Sequence, residues 1–245
     1  MLHSTKGIVF HSLKYSETSI IVKIYTELFG LQSYLIKGVR NSKSKIKPGL
    51  FQSMTLLDLV VYHKEQQSLQ SVKEVHLAVP FKTIPFDIRK SSVTLFINEL
   101  IYKAIREEES NPDLFGFVWN TFLLLDETEE SVTFFHILFS LRLMHHLGIF
   151  PQNNYSARFR VFNMREGLFQ PNIPGHPYYL DPGNSLLFHN LLATCDGRDA
   201  MNCVSAKIKP ETRDQMLETI LVYYQLHLPG FKGLQSHHIL HDVLA

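Results

Sequence analysis

The chain has 245 residues, with 24 Lys and Arg against 23 Asp and Glu, two Cys and 18 Phe. Its 45% hydrophobic and 19% charged residues are typical of a globular protein and exclude a disordered or fibrous chain. Two cysteines are too few for a disulfide scaffold, and without a CxxC pair a zinc ribbon is not expected. The N-terminus does not resemble a signal peptide and no run of 18 apolar residues occurs. We therefore expect a cytoplasmic protein that does not span a membrane.

The net charge of +1 conceals an asymmetry along the chain. Residues 1–80 carry ten basic and five acidic side chains, a balance of +5, whereas the remainder carries 14 and 18, a balance of −4. Half of the basic residues in the first part lie between positions 37 and 47, where no acidic residue occurs. Such a run is either a solvated loop or a site for a polyanion such as nucleic acid.

The first 80 residues predict a small β domain. Segments rich in Ile, Val, Leu and Tyr alternate with turn-forming pieces such as Glu27 to Gly30. In the fifth segment, alternation places Ser71, Lys73 and Val75 on one face. Five short strands in this length favour a closed or partly closed barrel, with the basic run between the third and fourth strands. The predicted strands are 7–13, 19–26, 31–37, 54–62 and 69–77.

After Pro80 and Pro85 the pattern becomes helical. Apolar residues recur at helical spacing from Val93 to Ala104, and Asn111-Pro112 is a helix-start signal for a helix that extends to Leu125. The segment 132–147 is apolar almost all round and predicts a central, buried helix. An irregular insertion at about 152–190 should contain a short hairpin near 159–169. Further helices are predicted at 185–193, 210–228 and about 237–243. The sequence therefore predicts an α+β protein with a β domain at 1–80 and a helical domain at 81–245.

Motifs that indicate an enzyme are absent: no phosphate-binding loop, no GxGxxG, no GxSxG and no HExxH occurs. His237 and His241 have the i, i+4 spacing of metal ligands, but two ligands do not make a site and a plain surface pair is the more common outcome. Cys195 and Cys203 are expected to be free thiols.

The first part of the chain contains a series of short motifs. Thr5-Lys6-Gly7-Ile8-Val9-Phe10, Tyr15-Ser16-Glu17 and Thr26 to Gly30 are followed by Lys37-Gly38-Val39-Arg40 and Lys43-Ser44-Lys45. In this order they resemble the start of the RecO family of bacterial DNA repair and recombination mediators, and the last two segments are similar to a "KGxR…KS" pattern of that family. Weaker similarities follow at 48–52, 141–151, 223–228 and 232–236. Together these motifs cover most of the chain, and it is their order and spacing that make the resemblance specific.

The resemblance implies an N-terminal five-stranded OB-fold, a helical C-terminal domain and no catalysis. It implies a protein that binds single- and double-stranded DNA, anneals complementary strands and assists RecA loading on DNA covered by single-strand-binding protein. The implied partners are RecR and the C-terminal tail of single-strand-binding protein, in the bacterial cytoplasm at the nucleoid. Many family members carry a four-cysteine zinc module after the helix end near Pro151. Residues 152–190 hold no cysteine, so we predict that this chain binds no zinc.

The basic run supplies the candidate DNA contacts. Phosphate contacts are expected from Arg40, which suits a bidentate hold, and from the neighbouring lysines. Five such contacts would give a log–log salt slope of about −3.5 for single strands, at about −0.7 per contact. Tyr34 is the candidate for base stacking, with Tyr25 and Tyr62 as alternatives that, like it, could instead serve packing. The phosphate-binding candidates are Lys37, Arg40, Lys43, Lys45 and Lys47.

Other readings remain open at the level of the sequence. Arg142 and Lys232 are candidates for the site that takes the tail of single-strand-binding protein, although cations beside apolar helices often just extend to solvent. The β domain could instead bind an acidic protein partner, which would make the chain a non-enzymatic adaptor. A hydrolase assembled from scattered residues is a third, weaker possibility.

Overall fold

A computed structural model describes residues 1–41, 46–106, 108–195 and 209–244. This part of the chain forms strands β1 (Leu2–Lys14), β2 (Ile20–Thr26), β3 (Gly30–Ile36), β4 (Leu56–Tyr62), β5 (Gln70–Val79), β6 (Val161–Asn163), β7 (Leu168–Gln170) and β8 (Tyr179–Leu180). Its α-helices are α1 (Ile88–Ala104), α2 (Pro112–Glu127), α3 (Phe135–His146), α4 (Pro182–Cys195), α5 (Pro210–His227) and α6 (Ser236–Leu244). Across these ranges, no helix combines the length and the hydropathy that crossing a membrane requires.

The first five strands close into a barrel in the order β1-β2-β3-β5-β4. β1 pairs antiparallel with both β2 and β4, and β3 pairs with β5 in parallel. The 13-residue β1 can serve both neighbours because its register shifts between Val9 and His11, the kind of irregularity that bends a strand. Five strands in this order form an OB-fold, so the predicted fold class is confirmed.

The barrel interior explains why a glycine stands in the middle of β1. A Cβ added at Gly7 would lie 2.7 Å from side-chain carbons of both Ile24 and Leu59. The strands can therefore approach each other this closely only with glycine at that position. The interior is filled by side chains that include Val9, Val22, Ile24, Tyr34, Leu57, Leu59 and Val61.

β5 departs from the regular alternation predicted for it. Val60 pairs with Glu74 but Val61 pairs with Val72, so Lys73 is an extra residue in the ladder. This bulge changes which face the following residues occupy. Val75 is consequently buried while Ser71 and Lys73 are exposed, and the prediction that these three share a face is wrong.

The segment after β5 is fastened to the end of α2 by one carboxylate. Asp126 accepts hydrogen bonds from the backbone N–H groups of Lys82, Thr83 and Ile84, the closest at 2.8, 2.8 and 2.9 Å. Burial opposes ionisation of this carboxyl, but the N–H groups outweigh burial and lower its pKa. The buried ammonium group of Lys90 completes the junction by donating to the carbonyl oxygens of Asp126 and Thr128 at 3.0 and 2.7 Å.

The described chain forms two compact units, Met1–Thr128 and Glu129–Ala245. The first contains α1 and α2 as well as the barrel. α2 contacts the barrel through the rings of Tyr25 and Phe115, whose centroids are 5.8 Å apart, and through the ammonium group of Lys6, which lies 5.2 Å from the centre of the Trp119 ring. The predicted division into domains 1–80 and 81–245 stays a prediction, because the two units are defined by their compactness and not by where a domain begins or ends in the sequence.

The second unit is built on α3, which is buried on nearly all sides as its sequence predicts. The hydroxyl of Tyr224 on α5 donates to the carbonyl oxygen of Ser140 at 2.7 Å, and both residues are fully buried. His136 on α3 is also buried. Burial, followed by the charge of Arg213, lowers the pKa of His136 to about 3.

The insertion between α3 and α4 forms a three-stranded sheet in the order β7-β6-β8. The predicted hairpin corresponds to β6 and β7, and the two-residue β8 adds to the other edge of β6. The Ser185 hydroxyl accepts from the N–H of Phe162 at 2.9 Å and donates to the carbonyl oxygen of Leu180 at 3.0 Å. Phe162, Phe169 and Phe188 pack together beneath the sheet. Hydrogen bonds and aromatic packing thus hold this insertion together.

Candidate nucleic-acid interface

Buried and partly buried apolar residues hold the two described ends of the basic run, residues 37–41 and 46–47, on the barrel. Val39, between Lys37 and Arg40, is 1% exposed and belongs to the barrel core. On the other side, Ile46 and Leu50 pack against the same core and Phe51 is 2% exposed. Leu50 and Phe51 belong to the short 3-10 helix Pro48–Phe51. The cations next to these anchors are therefore held at the barrel surface and project into solvent.

Arg40 connects the basic run to the loop between β1 and β2. Its guanidinium Nη1 donates to the carbonyl oxygen of Ser16 at 3.3 Å, and its backbone N–H donates to the carbonyl oxygen of Thr18 at 3.2 Å. Gly38, two residues before Arg40, has φ +69°, a conformation that glycine adopts most easily. Because the β1–β2 loop is one of the loops with which OB-folds bind oligonucleotides, the cations lie where such a ligand would be held.

The structure describes three of the five residues that are predicted to contact phosphates. Lys37, Arg40 and Lys47 are all exposed. Lys43 and Lys45 lie outside the described residues. The three described cations are thus accessible, and their role in DNA binding stays a prediction.

Tyr34, the candidate for base stacking, is in the wrong place for that role. Its side chain is 0% exposed and is part of the barrel core. Burial raises the pKa of its phenol well above the usual value. Tyr25, at 1% exposure, is buried as well, whereas Tyr62 is 47% exposed. The prediction for Tyr34 is wrong because its position on β3 faces the interior, and one-residue alternation alone does not reveal which face is inside.

A different ring pair is accessible at one end of the barrel. The rings of Phe29 and His63 stack with centroids 3.9 Å apart and planes 9° apart, and the ring of His3 meets Phe29 edge-on at 5.1 Å. They line an open cavity of about 530 Å³ together with Met1 and residues 64–67. Burial, and after it the nearby His3, lower the pKa of His63 below its usual value, which favours the neutral ring. Sequence reasoning missed this pair because its members lie 34 positions apart in two different loops.

The two residues predicted to hold a protein tail are both in the second unit. Arg142 lies half-buried on α3, and Lys232 is exposed in the connection between α5 and α6. Their proposed role stays a prediction.

The histidines with metal-like spacing contact carboxylates of α5. His241 Nδ1 lies 2.7 Å from Asp214 Oδ2, and His237 Nε2 lies 3.4 Å from Glu218 Oε1. Within the residues that the structure describes, no group of three or more His, Cys, Asp or Glu side chains could hold a metal ion. Cys195 is buried and Cys203 lies outside the described residues. The insertion, which has no cysteine, does not fit the four-thiolate zinc module.

The first unit therefore combines a five-stranded OB-fold, the exposed cations Lys37, Arg40 and Lys47, and a partly exposed ring pair that lines an open cavity. Cations hold the phosphates of a nucleic acid without regard to sequence, and exposed rings stack on any base. These features define a barrel of the oligonucleotide-binding class, to which a helical unit is added.

Comparison with known proteins identifies the family. The model of the family described as recombination protein O N terminal matches residues 1–81, and that described as recombination protein O C terminal matches residues 85–235. The chain is 36% identical over 245 residues to the DNA repair protein RecO of Bacteroides fragilis, with 99% of each chain covered. It is 34% identical over 246 residues to that of Christiangramia forsetii and 33% identical over 245 residues to that of Phocaeicola vulgatus, with 100% of each chain covered.

The chain belongs to the RecO family, as the matching motifs predict. Membership of this family supports a role in DNA repair and recombination.

Proposed function

We propose that this protein is a recombination mediator that binds single- and double-stranded DNA and anneals complementary strands. It would assist RecA loading onto DNA covered by single-strand-binding protein, and would act with RecR and the tail of single-strand-binding protein. The observation that supports DNA binding most directly is the basic run anchored on the barrel. Lys37, Arg40 and Lys47 are exposed, while the buried side chains of Val39 and Phe51 hold the backbone beside them on the barrel.

Anchoring matters because association costs conformational entropy. A long cationic side chain on a freely moving loop loses backbone as well as rotamer freedom when it binds. Here the backbone next to Lys37, Arg40 and Lys47 is already fixed by buried neighbours. Neutralising the phosphates with fixed cations also removes the repulsion between two complementary strands, which is what annealing requires.

The test is a mobility shift with labelled single-stranded DNA at several salt concentrations. The variant carries Lys37→Gln, Arg40→Gln and Lys47→Gln. Loss of three phosphate contacts should make the log–log salt slope less steep by about 2, at about 0.7 per contact. A matched control carries Lys73→Gln, Lys82→Gln and Arg89→Gln, three exposed cations elsewhere in the first unit.

Equal slopes for the wild type and the basic-run variant would refute this site. An annealing assay with two complementary oligonucleotides completes the experiment, since DNA binding without any acceleration of annealing would contradict the mediator mechanism. A protein that binds no DNA at low salt would be better explained as an adaptor for an acidic protein.

We further infer that Phe29 and His63 take the base-stacking role first assigned to Tyr34. Stacking of a base on an aromatic ring contributes about 1–3 kcal/mol. Phe29→Leu keeps apolar bulk but removes the ring, so single-strand affinity should fall about tenfold. Tyr34→Phe, which removes only the hydroxyl of a buried side chain, is the control and should leave affinity unchanged. Equal affinity of the Phe29→Leu protein and the wild type would remove this ring from the interface.

A further inference from the structure

The small sheet of the second unit carries a cluster of arginines. Arg158 and Arg160 immediately precede β6, and Arg165 lies in the turn between β6 and β7. All three are exposed. Glu166 is the sole acidic residue from position 155 to position 180 of the sequence. This local basic excess stands out because residues 81–245 as a whole carry a balance of −4.

Two of these arginines lie against aromatic rings. The guanidinium carbon of Arg158 is 5.7 Å from the centre of the Phe159 ring, and that of Arg165 is 5.0 Å from the centre of the Tyr178 ring. Both rings are half-buried. Such contacts orient the guanidinium plane while leaving its N–H edge able to donate. In the part of the chain that the structure describes, no carboxylate pairs with any of the three guanidinium groups.

The turn that carries Arg165 is held rigidly. Asn163 accepts the N–H groups of Arg165 and Glu166 on its side-chain oxygen at 3.0 and 3.3 Å, and its carbonyl oxygen accepts the N–H of Gly167 at 2.9 Å. The N–H of Met164 donates to the carbonyl oxygen of Tyr178 at 3.1 Å, which fixes the ring-bearing segment beside the turn. The backbone at Arg165 is therefore preorganised, which lowers the entropic cost of binding an anion there.

We propose that Arg158, Arg160 and Arg165 form a second contact surface for single-stranded DNA, in addition to the basic run of the barrel. The three residues of β6 span about 10 Å at about 3.3 Å per residue, so cations at its two ends are far enough apart to hold different phosphates of one strand. Guanidinium groups hold phosphate through paired N–H donors, and the half-buried rings of Phe159 and Tyr178, each with a guanidinium group over one face, would lie next to the bound strand. This surface rests on the proposed function, and it gives each compact unit a strand contact of its own.

The experiment compares four full-length proteins: the wild type, the basic-run variant, the control variant and a hairpin variant. The hairpin variant carries Arg158→Gln, Arg160→Gln and Arg165→Gln. Its single-strand affinity should fall at every salt concentration, and its log–log slope should be less steep by about 2. Raising salt from about 50 to about 200 mM would then weaken its binding about 20-fold less than it weakens the wild type. The log–log salt slope of the control variant should differ from that of the wild type by less than one phosphate contact contributes, which is about 0.7.

The outcomes separate this surface from the proposed function. A hairpin variant with the wild-type slope, beside a basic-run variant that loses affinity, overturns the second surface and leaves DNA binding by the barrel intact. A wild type that binds no DNA overturns both. Wild-type binding of a peptide of alternating Asp and Gly residues, lost in the hairpin variant while its DNA binding is unchanged, assigns the arginines to a protein partner and also overturns the proposal.

A second measurement does not depend on how well the hairpin variant folds. Wild-type protein is bound to an oligonucleotide that contains bromodeoxyuridine, irradiated and digested, and the cross-linked peptides are identified by mass spectrometry. Cross-links at Phe159 or Tyr178 are expected. Cross-links confined to the barrel, in a complex that forms at low salt, would overturn the second surface.

Discussion

Replacing Asp126 by Asn should destabilise the first unit by about 2–3 kcal/mol. In the wild type, Oδ2 accepts the N–H of Lys82 at 2.8 Å, and Oδ1 accepts those of Thr83 and Ile84 at 2.8 and 2.9 Å. Asn keeps one oxygen, but its NH₂ group then faces a second donor. The hydrogen bond that is lost involves a charged acceptor in a buried place, and such bonds contribute about 1.5–3 kcal/mol each.

The measurement is urea unfolding of the full chain, followed by tryptophan fluorescence. Trp119 is the single tryptophan of the sequence and is 7% exposed on α2, so its emission reports on the first unit. Asp58→Asn, on an exposed position of β4, is the control and should change stability by less than about 0.5 kcal/mol. If Asp126→Asn unfolds at the same urea concentration as the wild type, Asp126 does not fasten the barrel to α2.

The pH dependence provides an independent check on the same carboxylate. Its pKa is lower in the folded than in the unfolded chain. Its contribution to stability is therefore fully present above the unfolded pKa of about 3.9 and is lost as pH falls through the folded value. The stability difference between wild type and Asp126→Asn should accordingly be constant from about pH 7 to about pH 5 and shrink near pH 3. A difference that grows on acidification would contradict this reasoning.

Two further perturbations concern the second unit. A Cβ at Gly167, where φ is +66°, would lie 2.6 Å from the hydroxyl of Tyr223, so Gly167→Ala should cost about 1–3 kcal/mol in urea unfolding. Gly116→Ala, at an open position of α2, is the control and should stabilise by up to about 1 kcal/mol; loss of stability there, or none at Gly167, would contradict the geometry. His136 is buried and its pKa is lowered to about 3, first by burial and then by Arg213. Because the unfolded chain binds this proton near pH 6.5 and the folded chain does not, stability should fall by about 1.4 kcal/mol per unit as pH drops from about 6 to about 4. His136→Gln should remove that slope from urea titrations, and an unchanged slope would show that His136 is protonated in the folded protein.

The strand and helix segments follow closely from the sequence because their signals are local. The strands β2 to β5, the buried α3 and the hairpin of the insertion lie within three residues of their predicted bounds, whereas β1 begins at Leu2, five residues before its predicted start at position 7. The facing of the barrel residues was not predictable in the same way. Tyr34 is buried because alternation along β3 does not reveal which face of the strand is inside. Ser71 and Lys73 do not share the face of Val75 because of a bulge in β5, which depends on pairing with β4 and which no local pattern reveals.

The basic run shows a second limit of sequence reasoning. Its charge density predicts a solvated loop or a polyanion site, and both descriptions treat the run as uniform. In the fold, Val39 is instead a core residue in the middle of the cationic "KGxR" motif. Its burial requires the chain to turn at Gly38, where φ is +69°. The motif therefore contributes a core residue to the barrel as well as two cations, and a count of cations reveals only the second property.

The same combination of exposed cation and fixed backbone recurs in the insertion of the second unit. A net charge of +1 offers almost no long-range attraction for a polyanion, and at physiological salt charges act over only about 8 Å. Binding must then depend on groups of cations that are already close together and correctly oriented. The buried Val39 and Phe51 fix the backbone next to Lys37, Arg40 and Lys47, and the side chain of Asn163 fixes the backbone at Arg165. A nearly neutral protein can therefore hold a polyanion at these surfaces, and salt should weaken each surface in proportion to the cations it presents.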